Sequence, residues 1–242
     1  MVDIHYLNLN EKEIDLPIHR VISIERLFEL LHNKLNVLVN PKRWDDPFEN
    51  FMLNSLIQFE SGIKVSLGFK NNLYGQCWTR TRESDAMWRI YSPNKNGVRI
   101  SSTPRKLLDG LKEISVSSKN IDSFIGKVKY YSTPRLEKLL NENSHWLIDE
   151  TGVRPAQSLL FKRLAFKHEN EVRLVYNSFG RFNKDMMKYE VEPLSFIDDI
   201  VFDPRISYEE FARHKKRLRD LSFKKRIVKS VLYEIPNLIV KV

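Results

Sequence analysis

The sequence predicts an α+β fold: a single domain over residues 1–242, with mixed central sheets and surrounding helices. Three observations lead there. Segments of helical period alternate with segments of strand period, without internal repeat, low-complexity tract or linker. The 242 residues are 42% hydrophobic and 11% aromatic, enough to bury one sizeable core. Only 8 Gly and 10 Pro separate the chain from disordered or low-complexity proteins.

The elements follow in order. ISIERLFELLHNKLNVLV reads as a helix running into a strand, with Ile24, Leu27, Phe28, Leu30 and Leu31 at helical spacing and Ser23 as N-cap. NPKRWDDPFEN is a turn-rich loop with two prolines, and FENFMLNSLIQFES reads as a second helix. LYGQCWTRT is a strand, ESDAMWRIYS a short helix and PNKNG a turn. VRISS is a strand leading into TPRKLLDGLKEI, a helix with Pro early in its first turn. FIGKVKYYS is a strand, and RLEKLLNENSHWLIDE and PAQSLLFKRLAF are helices. FKHENEVRLVY, MKYEVEPL and IDDIVFD are strands. ISYEEFARHKKRLRDLSF is a basic amphipathic helix with Ser207 as N-cap and Tyr208, Phe211, Leu218 and Leu221 on its apolar side. RIVKSVLYEI closes the chain as a strand.

Composition narrows the function classes. The N-terminal MVDIHYLNLNEKEIDL lacks the apolar stretch of a signal peptide, and no run approaches a bilayer span. A lone cysteine, Cys77, rules out an intramolecular disulfide and a Cys-based zinc cluster within one chain. The expectation is a cytoplasmic protein with no membrane partner. Forty Lys and Arg against 31 Asp and Glu give a net charge of +9. That suits a polyanion such as nucleic acid, whose phosphates attract Lys and Arg and release counterions. An ordinary basic protein, or the basic half of a complex with an acidic antitoxin or inhibitor protein, fits the same charge. The segment from Arg205 to Lys229 holds ten Lys and Arg against three acids. Arg213, Lys216, Arg217, Lys224 and Lys225 are its candidate phosphate-tracking residues, and a solvated helix face is the alternative.

Familiar catalytic motifs are missing: there is no HExxH, P-loop, GxGxxG or GxSxG. The six histidines never fall at helical ligand spacing, so no metal site is expected. WDDPFEN could line a pocket, with Asp46 or Glu49 meeting a ligand hydroxyl, or simply pin a turn through Trp44 and Phe48. In HENEVR, Glu169, Glu171 and Arg173 are spaced to share one strand face. Carboxylates roughly 7 Å apart repel, so alone the pair reads as an exposed, wet strand face.

Together these stretches resemble a known family. WDDPFEN, CWTRTRESDAMWRIYSPNKNGVRIS, HENEVRLVY and the IVKSVLY ending are similar to the bacterial family catalogued as domain of unknown function 2971. The resemblance runs from about residue 20 to 235. It rests on an Asn/Asp-Asp-Pro-Phe-Glu box, a Met-Trp…Tyr…Gly segment before a strand, and a Glu-x-Glu-Trp-Arg segment. Val172 replaces the usual Trp, and Trp44 a more common Phe.

The polar groups also resemble, in order, the Arg, Ser-Thr, Glu-x-Glu arrangement of one class of ADP-ribosyltransferases. That resemblance implies an ADP-ribosyltransferase-like fold and NAD as substrate. It implies that Arg20 grips the NAD phosphates, with His19 in its place if the chain follows the related His-Tyr-Glu class. Ser101 or Ser102 would brace the nicotinamide-ribose pocket, which Asp46, Trp88 and Tyr91 would help to line. Glu171 would hold the ribose 2′-hydroxyl, and Glu169 would orient or deprotonate the acceptor. The chain has Ser-Ser-Thr where that class has Ser-Thr-Ser. Breaking the nicotinamide–ribose bond builds positive charge on the sugar, which a fixed carboxylate stabilises only as it develops. Proximity should also raise the pKa of one carboxylate, suiting it to act as base. The acceptor would be nucleic acid or protein, and a toxin or phage-defence role follows by analogy. Two other readings stay open: a metal-dependent nuclease built on Glu171 and Arg173 with Glu169 or an aspartate such as Asp46, and a non-enzymatic nucleic-acid or protein-binding module.

Overall fold

A computed structural model of the protein describes residues 3–44, 46, 56–58, 62, 64–66, 71–114, 121–142, 149 and 151–236. In chain order the elements begin with β1 (Tyr6–Leu7), β2 (Ile18–Ser23), α1 (Ile24–Asn33), β3 (Leu35–Val39), β4 (Leu56–Gln58), β5 (Lys64–Ser66) and β6 (Leu73–Thr79). They continue with α2 (Asp85–Tyr91), β7 (Gly97–Ser102), α3 (Pro104–Lys112), β8 (Ser123–Lys127), β9 (Lys129–Tyr131), α4 (Thr133–Glu142) and α5 (Val153–Ser158). The remainder are β10 (Phe161–Arg163), β11 (Glu171–Asn177), β12 (Met186–Glu190), α6 (Pro193–Phe196), β13 (Asp199–Phe202), α7 (Tyr208–Asp220) and β14 (Arg226–Lys229). The mixed α+β composition agrees with the expectation. Two compact units carry these elements: residues 1–18, 35–81 and 103–191 form the first, and 19–34, 82–102 and 192–242 the second.

In the first unit the strands run in the order β1, β8, β11, β6, β3, β12. β11 lies antiparallel to both β8 and β6, and every residue along it is buried. A central strand covered on both faces has no wet side, which is why EVRLVYN lacks clean alternation. Its Val175 packs in one core cluster with Phe124, Ala156, Leu159 and Leu160. α3 starts at Thr103, whose hydroxyl accepts the Lys106 N–H, and Pro104 occupies a first-turn site that needs no donor. β9 and β10 form a small parallel pair of their own.

The second unit orders its strands β2, β7, β13, β14. Ser23 caps α1, accepting the Arg26 N–H, and Ile24, Leu27, Phe28 and Leu31 are buried as the periodicity predicts. Asp203, fully buried at the end of β13, accepts from the Ser92 hydroxyl (2.6 Å) and from Arg205 Nη2 (2.6 Å). Arg205 also donates to the Ser92 carbonyl (2.7 Å), so this ion pair ties the end of α2 to β13.

Several expectations need correction. Most of the helix read over 48–61 lies outside the described residues, and the described part, Leu56–Gln58, is a strand antiparallel to Lys64–Ser66. The helix read through PAQSLLFKRLAF stops at Ser158, because the Leu160 carbonyl takes the Lys129 N–H (2.8 Å) and opens the β9–β10 pairing. FIGKVKYYS is two strands separated at Val128. The closing strand spans only Arg226–Lys229. Tyr208 is 68% exposed, whereas Leu218 is the buried residue of α7.

Replacing Asp203 by Ala leaves the partly buried Arg205 guanidinium unpaired. Urea titration at pH 7 should show about 3 kcal/mol less stability.

Candidate active site

The strand predicted for HENEVRLVY begins only at Glu171. Before it, residues 164–169 form a 3₁₀ turn that ends on Asn170 in the left-handed region (φ 45°). Asn tolerates that conformation better than most residues. The turn brings Glu169 round to the group that Glu171 also meets. Lys162, on β10, sends its ammonium to Glu169 Oε2 and lies 3.4 Å from Glu171 Oε2. Arg173 donates to the same Glu171 oxygen from Nη2 (2.6 Å) and Nε (3.2 Å), and from Nη1 to the Leu159 carbonyl (2.7 Å). None of this is a wet face: Glu169 is 7% exposed, Glu171 5%, Lys162 4% and Arg173 0%.

The surroundings hold the cluster in place. The Glu171 N–H donates to the Tyr130 hydroxyl (2.8 Å), and the Thr79 hydroxyl donates to the Glu169 carbonyl. The Trp44 ring lies 4.5 Å from the Arg173 guanidinium, a cation–π contact made in a desolvated place. Gly75 makes room for that ring, since a Cβ there would sit 2.7 Å from it. Asp46 accepts from Arg163 Nη2 (2.8 Å), so both described ends of the Trp44–Asp46 stretch engage cations of the β10–β11 region.

The electrostatics run opposite, for Glu171, to the raised pKa expected for one of the pair. Burial pushes its carboxyl up, but the Arg173 guanidinium and Lys162 ammonium outweigh burial and hold it below the ordinary carboxylate range. Two carboxyl groups thus face two basic side chains, Lys162 and Arg173.

The second unit carries the other candidates. Arg20 lies on β2 and is half-buried, while its neighbour His19 is buried and turns Nδ1 to Ser101 Oγ (2.8 Å). The Ser101 hydroxyl donates to Asp199 Oδ1, so by proton count His19 carries its hydrogen on Nδ1. Burial, with Arg99 beside it, pushes His19 down to about 4, leaving a neutral imidazole. Ser102 Oγ is buried without a hydrogen-bond partner among the described residues. Trp88 is buried and donates its indole N–H to Glu83 (2.8 Å), while Tyr91 is exposed on α2. Arg213, Lys216, Arg217 and Lys224 are exposed. Arg217 lies 4.0 Å over the Phe28 ring, and Lys225 is half-buried and donates to the Ile197 carbonyl (2.6 Å). Glu169, Glu171 and Asp46 thus belong to one unit, and Arg20, Ser101, Ser102, Trp88, Tyr91 and the basic segment to the other.

Comparison with known proteins adds three facts. The model of a family described as "Protein of unknown function (DUF2971)" matches residues 87–174, from the Met-Trp segment through the Glu-x-Glu segment. No curated protein matches. Among solved structures, Thermus sp. 2.9 DarT in complex with carba-NAD+ is 11% identical over 92% of this chain and 97% of that one, with a TM-score of 0.40. The same protein in complex with ADP-ribosylated ssDNA is 12% identical over 89% and 94%, with a TM-score of 0.41. At that identity and TM-score the likeness assigns neither a fold family nor an activity. Among the described residues no group of three or more His, Cys, Asp and Glu could hold a metal ion, and no helix is long and apolar enough to cross a membrane.

Lys162 escaped the sequence reading because it sits inside a run that reads as helix. Its local signal was a place among three cations, Lys162, Arg163 and Lys167, ahead of two acids. The Ser101–Asp199 contact joins residues far apart in the chain and left no local trace.

Removing the Arg173 charge (Arg173→Met) should lower stability by about 3–5 kcal/mol at pH 7, measured by urea titration. A carboxylate held low when folded stabilises the fold above its unfolded value of about 4.3, and that contribution fades as the pH falls through the folded value. The gap between wild type and Arg173→Met should therefore narrow on acidification. A gap independent of pH would count against an ionised Glu171.

Proposed function

We propose that the protein is an ADP-ribosyltransferase that cleaves the nicotinamide–ribose bond of NAD and transfers ADP-ribose to a nucleic-acid acceptor. The observation that carries this reading is the buried Glu169–Glu171 pair at the head of β11, held by Lys162 and Arg173. The motif resemblance supplies the reaction class.

In this reading Glu171 accepts a hydrogen bond from the ribose 2′-hydroxyl and stabilises the positive charge that grows on the sugar. The acceptor oxygen or nitrogen bonds to C1′ as the C1′–N bond breaks, and the bonding pair leaves with neutral nicotinamide. The acceptor's proton passes to Glu169. A carboxylate already fixed in a water-poor site needs no reorganisation when the charge appears, which is how it lowers the barrier. Arg20 would hold the NAD phosphates, and Ser101 and Ser102 the nicotinamide-ribose side. The cations Arg213, Lys216, Arg217 and Lys224 would track the acceptor's phosphates. A toxin or defence effector acting in the cytoplasm, restrained by an acidic partner protein, is the biological setting this chemistry suits.

The test is labelled NAD with purified protein and, separately, single-stranded DNA, RNA and a protein extract. Single-stranded DNA comes first because an ADP-ribosylated form of it is named in the DarT complex. Label should move to nucleic acid and fall by at least about 10²-fold in Glu171→Gln. Folded wild-type protein that neither transfers label nor releases nicotinamide would overturn the reading.

A further inference from the structure

The carboxylate pair raises a question that the proposed reaction does not answer. Two acids at less than 10% exposure should not both stay charged unless something obliges them to. We propose that Lys162 is the positioning residue of the pair: one ammonium group bridges Glu169 and Glu171 and sets how the two carboxylates face a substrate. The inference deepens the transferase reading and rests on it for its catalytic consequence.

The geometry is specific to that one nitrogen. Glu169 arrives from the 3₁₀ turn and Glu171 from the strand, and Lys162 Nζ meets Oε2 of each. The clamp has a second arm. Lys162 pairs in register with Tyr130 across β9 and β10, and the Tyr130 hydroxyl receives the Glu171 N–H (2.8 Å). Register partners point to the same face of a sheet, so this small two-stranded pair grips Glu171 by its backbone and its carboxylate together. The Phe166 ring, 4.6 Å from Nζ, closes one side and keeps water from the ammonium.

Lysine suits the place better than arginine. A compact ammonium with three rotatable donors can serve two carboxylates from different elements, whereas a planar guanidinium fork favours one. Among the described residues, the groups facing the pair are Lys162 on β10, Arg173 on β11, Tyr130 on β9 and Cys77 on β6, with Arg163 beside Lys162 and paired with Asp46. Without Lys162, Arg173 would remain, among the described residues, as the cation bonded to the pair, and it bonds Glu171. One of them would then take up a proton near neutral pH, and the pair would lose its fixed separation.

Carbon-13 NMR of carboxyl-labelled glutamates tests this, with Glu169→Gln and Glu171→Gln assigning the two signals. In wild type both signals should stay at the ionised position between about pH 8 and 5. In Lys162→Met one of them should titrate inside that window. A Lys162→Met spectrum that titrates like wild type would overturn the proposal. So would a wild-type pair with one member protonated at pH 6, which needs no variant to fold.

Nicotinamide release then reads the catalytic consequence. Lys162→Met should lose about 10²-fold in kcat with KM for NAD unchanged, as expected when reacting groups are displaced by an ångström. An equal loss confined to KM would assign Lys162 to substrate binding and overturn the positioning role. If the wild type releases no nicotinamide, the transferase reading falls, while the carboxyl titration still decides whether Lys162 bridges the pair.

Discussion

The first unit is organised around four buried ionisable side chains that depend on one another. Glu169, Glu171, Lys162 and Arg173 come from a 3₁₀ turn and two strands, and each is almost fully removed from water. An isolated ion in such a place loses several kcal/mol of hydration, and only close partners with good hydrogen bonds offset the loss. Once Arg173 is buried in the central strand, Glu171 has to follow. Once Glu171 and Glu169 are both inside, Lys162 has to reach them. That requirement explains why the chain leaves the helix at Ser158, forms three residues of strand and then turns through the left-handed Asn170.

The second unit solves a related problem without net ion pairing at its histidine. His19, Ser101 and Asp199 form a line in which the serine proton goes to the aspartate and the imidazole proton to the serine. Burial keeps the imidazole neutral, so its tautomer follows from its neighbours, not from solvent. The two arrangements differ in what they can offer a substrate. The carboxylate pair supplies fixed negative charge, whereas the histidine line supplies an oriented but neutral ring.

Much of this was legible in the residues. The N-caps Ser23 and Ser207 are where short polar side chains precede apolar periodicity. Glu169 and Glu171 stand out as a pair, and Trp44, one of two aromatics that could pin a turn, lies against Arg173. Less was visible where one short element could pass for another. Three residues of strand at Phe161–Arg163 have no periodicity that separates them from a helix, so the sequence alone places Lys162 on a helix. Tyr208 fell at helical spacing for burial, yet the helix begins there and leaves it in water.

The sequence by itself determined the mixed α and β character, the caps and turns, the basic balance of the chain and the identity of the paired acids. These depend on local propensity, on periodicity or on composition, which survive reading one residue at a time. Tertiary structure alone decided that the acids are buried, that a lysine bridges them, that Arg173 holds Glu171 below its ordinary pKa, and that Asp199 reaches Ser101. Each of these rests on charges brought close in a region of low dielectric, where interaction strength depends on distance and desolvation in three dimensions.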